Sequence, residues 1–121
     1  MSEKVKKFKE EREALNELIL NRENINIKRF FGLDSAVYRD GALDTRTKEM
    51  LGLVASVVLR CDDCISYHVI RCKELGVTDE EMFEIFNVGL IVGGSIVIPH
   101  LRRAVDLLDE LARDTDDPDP D

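Results

Sequence analysis

Residues 49–68 read EMLGLVASVVLRCDDCISYH, and the way this stretch folds decides how the rest of the chain is arranged. From Met50 to Leu59 it carries no charge. After Arg60 come two cysteines three positions apart and a histidine four positions beyond the second. In one straight helix, rising about 1.5 Å per residue, Glu49 would stand about 18 Å from Cys61 and could take no part in their chemistry. If the chain reverses near Arg60, two antiparallel helices form and position 49 falls opposite roughly position 72, about one turn beyond His68. Glu49 then reaches His68, directly or through a water.

Outward from this stretch the pattern is helix after helix, with no hairpin signal. Val5, Phe8, Leu15, Leu18 and Ile19 recur at helical spacing among charges, which predicts an amphipathic helix from about Glu3 to Asn21. A second helix is expected over Ile25 to Arg39, stopped by Asp40-Gly41. Asp44 can cap the third helix, and Gly76 can end the fourth. Thr78 and Glu81 have the spacing of a capping box that opens a fifth helix through about Val92. A last helix is expected near Pro99, because proline is tolerated in a first turn, with Leu101, Ala104, Val105, Leu108 and Leu111 as its stripe. The reading is one all-α domain over residues 1–113 and a disordered acidic tail over 114–121, where aspartates alternate with prolines.

At 121 residues the chain suffices for one domain with one core. A formal charge of −8 argues against a nucleic-acid surface, which needs clustered Lys and Arg. The apolar stretch from Ile85 to Ile98 is broken by Asn87, Gly89, Gly93, Gly94 and Ser95 and falls short of the roughly twenty residues that span a bilayer. No export signal is visible, so a cytoplasmic protein is expected, and a CxxC in that reducing compartment points to catalysis or metal binding before structure. Two segments apolar on every side, Met50 to Leu59 and Ile85 to Val92, are more than a chain this small covers alone, which predicts a homo-oligomer.

The chemistry is concentrated in Glu-x11-Cys-x2-Cys-x3-His. Side chains three or four positions apart on a helix are neighbours, so Cys61 meets Cys64 and Cys64 meets His68. A thiol becomes a nucleophile only as a thiolate, and His68 is placed to take its proton. The helix N-terminus lowers a thiol's pKa while Asp62 and Asp63 raise it, so the net sign stays open. Cys72 reads as a core filler, and Tyr67 and His100 read first as surface or packing residues and second as outlying neighbours of the site. Four zinc ligands drawn from Cys61, Cys64, His68 and Cys72 do not converge on one helix, since positions 61 and 72 stand about 16 Å apart along its axis.

Glu49, Cys61, Cys64 and His68 stand as in alkyl hydroperoxide reductase D (AhpD), and the chain resembles that branch of the carboxymuconolactone decarboxylase superfamily from about Ala42 to Leu111. The apolar helix before the dithiol, the ELGVTDEE segment at 74–81 and the Gly93-Gly94 region share the likeness. The resemblance implies an AhpD-like fold of about six helices, assembled as a hexamer or alternatively a trimer. It implies a peroxidase or disulfide reductase in which Cys64 attacks, Cys61 resolves, and His68 with Glu49 relays the proton. No tightly bound cofactor or metal is implied; an external dithiol, borne by a lipoyl-carrying or thioredoxin-like protein, would act as reductant. Where AhpD has a second histidine just before the second cysteine, this chain has Asp63. The superfamily's other activity, decarboxylation of a lactone, does not depend on a CxxC and stands as the alternative, beside a non-catalytic or metal-binding role.

Overall fold

A computed structural model of the chain describes residues 2–116, with side chains through residue 113. Among these residues the fold is six α-helices: α1 (Glu3–Leu20), α2 (Ile25–Val37), α3 (Thr45–Leu59), α4 (Asp62–Glu74), α5 (Asp79–Gly93) and α6 (Ile98–Asp116), with a 3-10 turn over Ser95–Val97 leading into α6. Local caps explain most of the boundaries. Ser2, Asn24 and Asp44 each accept a backbone N–H of the first turn of α1, α2 and α3. Thr78 and Glu81 complete the expected capping box at α5.

The second helix stops at Val37, two residues before the expected end. The carbonyls of Val37 and Arg39 accept from Lys48 Nζ at 2.7 and 2.6 Å, and that of Tyr38 accepts from Thr45 Oγ1 at 2.7 Å. Three successive carbonyls are thereby turned towards the start of α3. The last helix continues to Asp116, three residues into the segment expected as a tail. The remainder of that segment lies outside the described residues.

The central event is the reversal between α3 and α4. Arg60 adopts the left-handed conformation (φ 59°, ψ 43°), which ends α3 within one residue. The Cys61 N–H then donates back to the Ser56 carbonyl at 3.2 Å. The two helices fold into a hairpin, α5 covers the other side of α3, and α6 packs on α4. Leu53 and Val57 of α3, Ile65 and Val69 of α4, Met82 and Phe86 of α5, and Leu107 and Leu108 of α6 form the buried centre. Gly89 lets α5 approach α3 closely, because a Cβ there would stand 2.7 Å from Val57 Cγ1.

The outer elements are less covered. Of α1 only Val5 is fully buried, and Leu15, Leu18 and Ile19 at its far end are exposed. No residue of α2 is buried, and Phe30 is 70% exposed. On α5, Ile91 is 84% exposed. No described helix is long and apolar enough to cross a membrane.

Candidate active site

The reversal at Arg60 makes Cys61 the N-cap of α4 and puts Cys64 in its first turn. Cys61 Sγ accepts the Cys64 N–H at 3.3 Å. Their Cα atoms are 5.3 Å apart, and the sulfurs are joined as a disulfide. His68 follows one turn after Cys64 on the same helix.

Glu49 lies on α3, and the hairpin brings its Oε2 to 2.7 Å from His68 Nδ1 with no intervening group. Although early in its helix, Glu49 is only 2% exposed. Its other oxygen, Oε1, lies 3.7 Å from Arg71 Nε. A carboxylate oxygen accepts, so Nδ1 carries a proton; in the neutral imidazole Nε2 is then the nitrogen with the lone pair. Two contacts therefore join the four residues in pairs, the Cys61–Cys64 bond and the Glu49–His68 hydrogen bond, and the two pairs meet on α4, where His68 follows Cys64 by one turn.

Two tyrosines enclose the imidazole. Tyr67, its neighbour on α4, meets it edge to face at 5.2 Å between centroids, and Arg12 of α1 lies 3.9 Å above the Tyr67 ring. Tyr38, just past α2, lies at 5.7 Å on a tilted plane. Burial first, and then the Glu49 charge, raise both phenols above their ordinary value, so both remain neutral hydroxyls at physiological pH. Asp34, Tyr38, Glu49, Tyr67 and Arg71 help to line a cavity of about 350 Å³. Tyr38 carries no local sequence signal, since it reads as one more aromatic at the end of an apolar helix.

The carboxylates between the cysteines are unequal. Asp62 accepts from His100 Nδ1 at 2.7 Å and from Arg103 Nε at 3.0 Å. Burial pushes its carboxyl up, but the bonds from His100 and Arg103 together hold it below the usual range. Its charge is compensated by α6. Asp63 is exposed. Cys72, on the far part of α4, is fully buried, and burial followed by the Glu49 charge pushes its thiol up to about 12. It is an inert core residue, as its position in the apolar pattern suggested. Among the described residues no three His, Cys, Asp or Glu side chains converge to hold a metal ion.

Comparison with known proteins agrees with this architecture. Two crystal structures of TM1620 from Thermotoga maritima superpose with a TM-score of 0.87 at 64% and 61% identity, covering 89% and 91% of this chain and 95% and 93% of theirs. That protein is described as a carboxymuconolactone decarboxylase family protein for which a part in the antioxidative response has been suggested. The apo form of lpg0406 from Legionella pneumophila, of the same family, superposes with a TM-score of 0.80 at 25% identity over 90% of this chain and 97% of its own. Uncharacterized protein 4 in the cox locus of Paracoccus denitrificans is 33% identical over 82 residues, 68% of this chain and 74% of that protein. The model of the carboxymuconolactone decarboxylase family matches residues 27–107, which is more than half of the chain and holds every residue of the site from Tyr38 to His100, and the protein belongs to that family.

Proposed function

We propose that the protein is a thiol-dependent oxidoreductase of the alkylhydroperoxidase kind, reducing a peroxide or a protein disulfide with the Cys61–Cys64 dithiol. The observation that carries this reading is the bonded cysteine pair at the start of α4, one turn before a histidine whose Nδ1 rests on a buried glutamate. Cys64 is exposed and Cys61 partly covered, which supports Cys64 as the sulfur that meets substrate.

In the reduced protein, Nε2 of His68 takes the Cys64 proton while Glu49 steadies the imidazolium. The thiolate attacks a hydroperoxide oxygen, forming an S–O bond as the O–O bond breaks. The leaving alkoxide takes the proton from His68 and departs as the alcohol. The Cys61 thiol then attacks the sulfenic sulfur, the disulfide forms and water leaves. An external dithiol on a lipoyl-bearing or thioredoxin-like protein returns two electrons and two protons, and the cytosol is the compartment this cycle implies. The chain works as a homo-oligomer in this reading, supported by the uncovered apolar residues of α1, α2 and α5.

The test is to count free thiols in the reduced protein before and after one equivalent of peroxide. Loss of two per chain, absent in Cys61→Ser and in Cys64→Ser, is the expected result. An unchanged count in the native protein discards the redox reading.

A further inference from the structure

The His68 imidazole lies over a position that has no side chain. A Cβ built at Gly52 would stand 2.6 Å from Tyr38 Oη, 2.8 Å from His68 Cε1 and 3.0 Å from His68 Nε2. The tyrosine hydroxyl and the free edge of the imidazole therefore share one notch in the surface of α3. This is the edge that matters, because Nδ1 is already engaged by Glu49. Tyr67 stands edge-on against the ring as a second wall.

Tyr38 does not reach the notch through packing of its own helix, since α2 buries nothing. It is seated by its backbone. Thr45 Oγ1 holds the Tyr38 carbonyl, and Lys48 Nζ holds the carbonyls on either side of it. Thr45, Lys48, Glu49 and Gly52 all belong to the first half of α3. One rigid helix thus sets the Tyr38 clamp, the carboxylate on Nδ1 and the notch under the Cε1–Nε2 edge.

We propose that Tyr38 is a positioning residue of the dithiol site: its phenol, fastened over Gly52 by Thr45 and Lys48, fixes the imidazole edge that exchanges a proton with Cys64. The role assigned to that exchange rests on the dithiol reading above. The hold of Tyr38 on the ring does not. A rotation of the ring about its bond to Glu49 changes where Nε2 points, and rates of positioned proton transfer fall steeply with such displacement.

The experiment records the ring ¹⁵N and Cε1–H resonances of His68 at one fixed pH, together with the rate at which Cys64 is alkylated in the reduced protein. Tyr38→Phe removes only the hydroxyl, Tyr38→Leu removes the wall, and Gly52→Ala fills the notch and presses on both the Tyr38 hydroxyl and the His68 edge. All three are expected to shift the His68 resonances. Alkylation should slow about threefold in Tyr38→Phe and about tenfold in Tyr38→Leu. Folded Tyr38→Leu and Gly52→Ala proteins with unmoved His68 resonances overturn the proposal. Moved resonances with unaltered alkylation overturn the positioning role too, while the dithiol reading stands or falls by the thiol count after peroxide.

Discussion

Glu49 Oε2 and His68 Nδ1 stand 2.7 Å apart across the α3–α4 hairpin, joining residues nineteen positions apart in sequence. The carboxylate is buried, and its contact with Nδ1 orients the ring. Glu49→Gln keeps the shape and removes the charge. It is expected to slow Cys64 alkylation and peroxide-driven disulfide formation by about tenfold or more. Stopped-flow kinetics on the reduced variant checks this, with circular dichroism to confirm that the helices persist; equal rates would take Glu49 out of the relay.

Cys72 should be silent in the same assays. With its thiol raised to about 12 by burial and its side chain wholly covered, it supplies neither thiolate nor access. The reduced native protein is expected to show two reactive thiols and the unfolded protein three. Cys72→Ala should leave the peroxide response intact while lowering stability by about 1 kcal/mol, the value of a small buried side chain in a packed core. A native count of three would show that the core around α4 opens readily.

Acid sensitivity should pass through Glu81. The backbone N–H of Thr78 and then the Arg46 guanidinium hold its carboxyl down to about 2, and the same side chain ties α5 to α3. A depressed carboxylate stabilises the fold fully above its ordinary value of about 4.5 and loses that contribution as pH falls towards 2. Glu81→Gln can still cap the helix but cannot pair with Arg46 as an ion. Melting temperatures between pH 6 and 2, each of these an approximate end of the range, should therefore fall less steeply in the variant. Parallel curves for the two proteins would place the acid sensitivity elsewhere.

What was legible in the sequence follows from how far each signal reaches along the chain. The capping box at Thr78, the cap at Asp44 and the Cys61, Cys64 and His68 spacing are all set within one or two helical turns, and each appears where its spacing placed it. Glu49 became meaningful only through a reversal near Arg60, a geometric condition that local pattern states but does not decide. Tyr38 was not legible at all. Its role depends on three backbone carbonyls gripped by Thr45 and Lys48 and on the missing side chain of Gly52, none of which has a short-range signature. Asp62 looked like a second charge beside the thiols, and only the arrival of His100 and Arg103 from α6 shows that charge to be answered.

The chain exposes 8180 Å², whereas a compact monomer of 13.8 kDa exposes about 6,600 Å². The uncovered side chains include Ile25, Phe30, Leu33 and Val37 on α2, which contributes nothing to its own core. A second copy of the chain can cover that face at no cost to the fold, since no α2 side chain has to leave a buried site to meet it. Phe30→Asp puts a charge on that face at a residue that is 70% exposed. Sedimentation equilibrium should show an oligomer for the native chain and a smaller species for the variant, with helix content unchanged. A native chain that sediments as a monomer at micromolar concentration would refute self-association through α2.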